Sequence, residues 1–181
     1  KNNTANNYKR KKAAFTSVAN LTIVTPSRWL ADEVKQSFLK DYPVQVIPNG
    51  VDQTIFRPTE NDLRKKLGLE HSFVILGVAN VWERRKGLSY FCGLAKKLPE
   101  DCKIILIGLN EKQIRELPEE IIGITRTENA EELAGYYSMA DVFVNATLED
   151  NFPTTNLEAL SCGTPVITFE TGGSPESLDA T

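Results

Sequence analysis

The sequence predicts an α/β domain of the doubly wound, Rossmann-like kind: a parallel sheet with helices on both faces. Two observations predict it. Short apolar runs, Phe73–Ala79 (FVILGVA), Lys103–Ile107 (KIILI), Ile121–Ile124 (IIGI) and Val142–Val144, alternate along the chain with stretches of helical length. Such unbroken apolar character suits strands covered on both faces, as in parallel sheets. In addition, Asp141–Ile167 (DVFVNATLEDNFPTTNLEALSCGTPVI) reads as strand, loop, helix, strand, a complete βαβ unit.

In that unit, Val142–Val144 is the strand and Ala146–Asn151 a polar loop carrying Glu149 and Asp150. Asp150 and Asn151 are capping residue types, and Pro153 suits a first helical position, where its missing N–H costs nothing. The helix runs to Cys162, Gly163 ends it, and Val166-Ile167 begins the next strand after Pro165. Ligands of open parallel sheets bind beyond the carboxyl ends of the strands. The helix N-terminus at that place, Phe152-Pro153-Thr154-Thr155, offers free N–H groups and partial positive charge to an anion. Glu158 lies roughly 7–8 Å further along, and helical side chains lean back toward the N-terminus. A carboxylate there repels phosphate and accepts hydrogen bonds from a sugar diol, so the pairing suits a nucleotide. The same spacing also fits Asp150 as a simple cap and Glu158 as a solvated helical residue.

Elsewhere the elements follow the same logic. Residues 1–12, with Lys1, Lys9, Arg10, Lys11 and Lys12 and no acid, read as a solvated or frayed end; the alternative is a basic patch facing anionic lipid or a charged acceptor. A helix is expected over Ala13–Asn20, a strand over Leu21–Thr25, and a helix over Arg28–Leu39 capped by Ser27. Val44–Pro48 reads as a strand, Asn49-Gly50 as a turn, and Thr59–Leu67 as a helix with a solvated charged face, ended by Gly68. After Phe73–Ala79 comes a charged loop, Asn80–Lys86, then Gly87 and a helix over Leu88–Leu98. Arg84, Arg85 and Lys86 at that carboxyl edge suit a diphosphate, and equally a solvated basic loop. Helices are expected over Asn110–Leu117 and Asn129–Met139, the latter with Leu133, Tyr136 and Tyr137 as core contacts. Gly172-Gly173-Ser174-Pro175-Glu176 reads as a turn into a helix capped by Ser174. His71, the only histidine, sits in a turn and is assigned no catalytic role.

The 181 residues are 41% hydrophobic and 25% charged, ordinary for a globular chain. A net charge of −3 gives no case for nucleic-acid binding. Cys92, Cys102 and Cys162 show no metal-ligand spacing and read as reduced core thiols of a cytoplasmic protein. No apolar run approaches about 20 residues, so no membrane-spanning helix is expected. Position 1 is Lys and the last residues open a helix, which reads as a piece cut from a longer protein. No glycine fingerprint of a dinucleotide fold follows Phe73–Ala79, and no Walker loop is present, so a generic dehydrogenase is the least favoured class.

Asp150-Asn151-Phe152 followed by Leu157-Glu158-Ala159-Leu160-Ser161-Cys162-Gly163-Thr164-Pro165-Val166 resembles the donor-site signature of GT-B glycosyltransferases, specifically retaining family 4. Ile47-Pro48-Asn49-Gly50-Val51-Asp52 with Phe56, Lys86-Gly87, and Thr171-Gly172-Gly173-Ser174-Pro175-Glu176 resemble further segments of that family. The family usually has Glu at the first acidic place; here it is Asp150 with Glu149 before it, and the spacing favours Asp150. An Arg that many members carry earlier in the Lys86 loop is Asn80 here.

The resemblance implies one half of a GT-B architecture: residues 49–181 as the C-terminal donor-binding domain, and 1–48 as the tail of the N-terminal acceptor domain with its linker. It implies transfer of a sugar from a nucleotide-sugar, UDP- or GDP-linked, to a glycan or lipid-linked acceptor, with retention and without a metal or other cofactor. Asp150, Glu158 and Lys86 are the catalytic candidates: Lys86 on the diphosphate, Asp150 on the donor sugar, Glu158 on the ribose. Arg85, Asn151, Phe152, Pro153, Thr154 and Thr155 would complete the donor site, with Thr125 and Arg126 bordering the nucleobase. The expected setting is cytoplasmic, with possible peripheral contact at the inner membrane face, and the piece alone is expected to be inactive. A non-catalytic nucleotide- or sugar-binding module and a GT-B phosphorylase-like enzyme are the alternatives.

Overall fold

The computed structural model describes residues 3–179 and divides into two compact units, Lys1–Asn49 and Gly50–Thr181. Lys1 of the basic run lies outside the described residues. In the first unit, α1 (Thr4–Thr16), β1 (Ile23–Thr25), α2 (Arg28–Lys35) and β2 (Val44–Val46) follow one another. β1 and β2 pair in parallel, with Val24 opposite Gln45, so β1, α2 and β2 form a small βαβ unit. Ser27 caps α2 as expected, its Oγ accepting from the Leu30 N–H at 3.1 Å. α2 ends at Lys35 and not at Leu39. Ser37 is the reason: its hydroxyl donates to the Val34 carbonyl and accepts from the Leu39 N–H, a local alternative to helical bonding. The basic run from Lys9 to Lys12 is solvated, as expected, but helical and not frayed. A 13-residue helix starts at Thr4, and all of it is exposed. Ala, Lys and Arg are good helix formers even where nothing packs on them. Tyr8 meets Phe38 edge to face, with ring centroids 5.3 Å apart.

The second unit carries the sheet. Its elements are α3 (Leu63–Leu67), β3 (Phe73–Val78), α4 (Leu88–Ala95), β4 (Cys102–Ile107), α5 (Glu111–Arg115), β5 (Ile121–Ile124), α6 (Ala130–Met139), β6 (Val142–Asn145), α7 (Thr154–Ser161), β7 (Val166–Thr168) and α8 (Glu176–Asp179). A 3₁₀ turn, Arg84–Lys86, lies between β3 and α4. All strands are parallel, in the order β5-β4-β3-β6-β7. β3 is central: Leu76 sits opposite Ile105 on one side and Phe143 on the other.

Alternation along these strands feeds two cores. Val74, Leu76, Ile105, Ile107 and Phe143 pack with Ala134, Tyr137, Ala159 and Cys162 from the α6 and α7 side. Ile75, Ile104, Leu106 and Ile121 pack with Phe91 and Ala95 of α4 and with Trp82 and Leu109. Buried on both faces, β3 and β4 show no polar alternation, which is why they read as continuous apolar runs.

Three further expectations are corrected here. Asn49-Gly50 forms no turn; the backbone there is irregular, and Gly50 lacks the positive φ of a turn glycine. The Thr59–Leu67 helix begins only at Leu63, because the Asn61 side chain accepts from the Leu63 N–H and donates to the Thr59 and Gly135 carbonyls. Its charged face is not wholly solvated either. The Arg64 guanidinium donates to the Met139 carbonyl (2.8 Å), the Ser72 carbonyl (3.0 Å) and Asp141 Oδ2 (2.7 Å), and Asp141 Oδ2 also accepts the Val74 N–H. This fork ties α3 to the starts of β3 and β6. Arg64→Ala is expected to lower the thermal midpoint in a melt followed by circular dichroism. Solvent at the Arg64 side chain, 30% exposed, keeps the loss to about 1 kcal/mol, or roughly 2–4 °C.

Candidate functional site

The chain order reverses at β3. It leaves β3 through α4 to β4 and β5 on one side, then returns through α6 to β6 and β7 on the other. The carboxyl ends of β3 and β6 therefore diverge, and a crevice opens at this switch point. A cavity of about 460 Å³ occupies it, a size typical of small-molecule sites, which span about 300–1,000 Å³. Ala79, Asn80 and Val81 continue from β3 into its wall, and Asn145 ends β6 there. Lys86 and Arg85 enter from the β3–α4 loop, and Asp150, Phe152 and Pro153 from the β6–α7 loop. Thr154, Thr155 and Glu158 line it from α7, and Leu133 from α6.

Local structure sets each group. Trp82 anchors the β3–α4 loop: its Nε1–H donates to the Ile107 carbonyl at 2.9 Å, and its ring meets Phe91 edge to face. Gly87, with φ +78°, then turns the chain into α4, and a Cβ there would overlap the Ala146 carbonyl oxygen. The close approach lets the two loops bond to each other. The Leu148 N–H donates to the Arg85 carbonyl at 2.7 Å, and the Arg85 guanidinium donates to the Glu149 carbonyl at 3.3 Å. Across the loops, Lys86 Nζ lies 2.7 Å from Asp150 Oδ2. Asp150 is held from behind by the Gly173 N–H, which donates to its carbonyl at 2.9 Å.

α7 begins differently from the sequence expectation. Pro153 is its N-cap, with extended backbone, and not its first helical residue; no side chain caps the helix. Asp150 and Asn151 are therefore not caps: Asp150 bonds Lys86, and Asn151 is exposed. The N-terminal end of an eight-residue helix without a side-chain cap lies at the cavity, which Thr154 and Thr155 line. Ser174 likewise fails as a cap, its buried hydroxyl having no hydrogen-bond partner among the described residues. A buried polar chain keeps α7 in place instead. Asn145 Nδ2 donates to Asn156 Oδ1, Asn156 Nδ2 to Ser177 Oγ, and Ser177 Oγ to the Ser174 carbonyl.

Glu158 is half-buried on α7. Burial holds its carboxyl above the usual range, against the opposing hydrogen bonds of Tyr137 and Thr154. The Tyr137 hydroxyl donates to Glu158 Oε2 at 2.9 Å.

The structure thus brings Lys86, Arg85, Asp150, Phe152, Pro153, Thr154, Thr155 and Glu158 to one cavity. Asn151 lines a neighbouring depression with Glu149. Thr125 and Arg126 follow the edge strand β5 and are exposed, outside the cavity lining. Of the remaining cations, Arg84 faces a separate cavity between α4 and α5. Asn145, Val81, Leu133 and Tyr137 were not singled out as site residues from the sequence. The signal for Asn145 was its place at the end of a predicted strand; Tyr137 was read only as a core ring.

Comparison with known proteins shows the family and the fold. The family model described as Glycosyl transferases group 1 matches residues 72–181. A D-inositol 3-phosphate glycosyltransferase of Corynebacterium jeikeium is 29% identical, covering 89% of this chain and 43% of its own length. An alpha-galactosylglucosyldiacylglycerol synthase of Streptococcus pneumoniae is 30% identical, covering 84% and 44%. Among solved structures, a sucrose-phosphate synthase from Thermosynechococcus elongatus superposes with a TM-score of 0.76 at 25% identity, over 92% of this chain and 44% of that one. Anabaena HepE in complex with UDP gives 0.78 at 19% identity, over 96% and 51%. The chain spans less than half the length of these two curated relatives. It belongs to the glycosyl transferases group 1 family, and its second unit has the Rossmann-like fold of the GT-B enzymes.

Proposed function

We propose that the switch-point cavity is the donor site of a glycosyltransferase that moves a sugar from a nucleotide-sugar to a glycan or lipid-linked acceptor. One observation carries the reading. A helix N-terminus without a side-chain cap, a lysine and a half-buried carboxylate converge on one cavity at the sheet's switch point. The Thr154–Thr155 helix end and Lys86 would receive the diphosphate, with Arg85 at its rim. Glu158, with its negative charge set back inside α7, would accept from the ribose hydroxyls. Asp150 would orient the donor sugar through its hydroxyls. Breaking the glycosyl–phosphate bond builds charge on the departing diphosphate, and preorganised groups aimed at that charge stabilise the transition state.

On this reading the transfer proceeds with retention and needs no metal, the protein's own cations meeting the leaving charge. Residues 49–181 supply the donor domain, and residues 1–48 belong to the acceptor side of a longer enzyme. A relative named UDP-Gal:alpha-D-GlcNAc-diphosphoundecaprenol alpha-1,3-galactosyltransferase, from Escherichia coli, is 31% identical over 77% of this chain. Together with the diacylglycerol relative, it supports UDP as the carrier and a lipid-linked acceptor met at a membrane surface. Among the described residues no helix is long and apolar enough to cross a membrane.

The test is calorimetric titration of the chain with UDP, GDP and ADP, with Lys86→Ala as control. Binding of UDP in preference to GDP and ADP, weakened about tenfold by Lys86→Ala, is the expected result. Binding of none of the three by a folded chain, or equal binding by both proteins, would count against the donor site.

A further inference from the structure

We propose that Tyr137 is a positioning residue for nucleotide recognition: through its hydroxyl it fixes Glu158 in the orientation that reads the ribose hydroxyls. The inference rests on the donor-site reading above.

The observations are geometric. Tyr137 belongs to α6, the helix before the βαβ unit that carries the site, and is fully buried. Its ring is wedged edge to face between Phe56 and Phe143, with centroids 6.2 and 5.4 Å away. The backbone at this point is also fixed, since the buried Thr164 hydroxyl donates to the Tyr137 carbonyl at 2.6 Å. A ring held on two sides and by its main chain has one place for its hydroxyl, and that place is 2.9 Å from Glu158 Oε2. Burial beside that carboxylate keeps the hydroxyl protonated, so it donates.

The bond engages one carboxylate oxygen from below. Glu158 lines the cavity, whereas Tyr137 is not among the lining residues. A glutamate side chain has three rotatable bonds, and its other donor, Thr154, is an exposed residue at the helix end, so without Tyr137 the half-buried carboxylate would share its time among several rotamers. A rigid donor beneath the carboxylate removes that freedom before the ligand arrives, the general route by which a supporting residue raises affinity and specificity. A residue acting in this way affects ligands that have ribose hydroxyls and leaves alone those that lack them. A tyrosine serving only the core would affect both alike.

The experiment compares UDP with 2′,3′-dideoxy-UDP by calorimetric titration of the wild-type chain and of Tyr137→Phe. Wild type is expected to prefer UDP by about tenfold or more, and Tyr137→Phe to reduce the preference to roughly two- or threefold with dideoxy-UDP affinity unchanged. An unchanged preference in Tyr137→Phe overturns the positioning role while leaving the donor site standing. Wild type that binds UDP but shows no preference over the dideoxy nucleotide overturns the ribose contact of Glu158. Wild type that binds neither nucleotide overturns the donor site and the proposal together. A second measurement needs no variant, in case Tyr137→Phe does not fold. The buried Tyr137 hydroxyl proton of the wild-type chain should shift in an NMR titration with UDP and stay in place with dideoxy-UDP. Identical behaviour with both nucleotides sinks the proposal.

Discussion

Gly172→Ala should lower the thermal midpoint by roughly 6–12 °C, the consequence of a loss of about 3 kcal/mol in a chain of this size. Three effects add. The residue has φ +56°, a left-handed conformation that costs an L side chain about 1–2 kcal/mol. A Cβ at this position would overlap the Asp150 carbonyl oxygen, so one of the two segments must move. The movement stretches the bond from the Gly173 N–H to that same carbonyl, about another 1 kcal/mol. The damage also falls on the site. Asp150 is pressed between Gly172 behind it and Lys86 in front, so displacing its backbone separates the 2.7 Å ion pair across the cavity mouth. A melt combined with a UDP titration reads both losses. Gly50→Ala is the control, because Gly50 is exposed, lacks a positive φ and has open space where a Cβ would stand. Its midpoint should stay within the ±0.5 kcal/mol usual for surface changes. A Gly172→Ala protein as stable as the Gly50→Ala protein would show that the 171–174 turn does not brace the site.

How much of this was legible in the sequence depended on how each residue is buried. β3, β4 and β5 were read within a residue or so because strands covered on both faces leave an unbroken apolar signature. Of α1 only the last turn, within the helix expected over Ala13–Asn20, was legible, since an exposed helix has no apolar period to betray it. Asn49-Gly50 carries turn chemistry that the irregular backbone does not use. At the site, the α7 end, Glu158 and the basic loop were legible because ligands of parallel sheets lie beyond the carboxyl ends of the strands, whereas the part given to Asp150 came from the family resemblance alone. Thr125 and Arg126 stand apart from the cavity: they follow β5, the edge strand, with β4 between it and the β3 end where the crevice opens. Pairings across loops were invisible. Lys86 and Asp150 were each assigned to a ligand, and their bond to each other needs the fold. Tyr137 shows the same limit, since its ring announces a core residue and only the folded chain reveals what its hydroxyl holds.

Glu158→Gln is expected to make the fold more stable and nucleotide binding weaker. The sign follows from the carboxyl's environment. Burial raises its pKa in the folded chain above the ordinary value of 4.5, with the Tyr137 and Thr154 hydrogen bonds opposing that rise only in part. The folded state therefore holds the proton more tightly than the unfolded state, and unfolding releases it. Glu158's contribution is most favourable below the ordinary carboxylate range and is lost as the pH rises through the raised folded value. At neutral pH the ionised group is a standing cost to the fold. Glutamine has the shape of the protonated acid and can still accept from Tyr137, so it removes that cost without opening a cavity. The midpoint should rise at pH 7, each kcal/mol being worth roughly 2–4 °C, and the advantage over wild type should vanish as the pH falls below 4.5. Nucleotide binding should move the other way. Hydrogen bonds to an ionised acceptor are about twice as strong as those to a neutral one, so losing the charge beneath two ribose hydroxyls should cost roughly ten- to a hundredfold in affinity for UDP. Paired melts at pH 4 and 7 with a titration at pH 7 decide the matter. A variant less stable than wild type at pH 7 would mean that the carboxylate is retained for the fold. A more stable variant with undiminished affinity would mean that its charge serves neither fold nor ligand. A more stable variant that binds weakly identifies a charge kept in place against the fold's own interest, as expected where a binding site carries the strain.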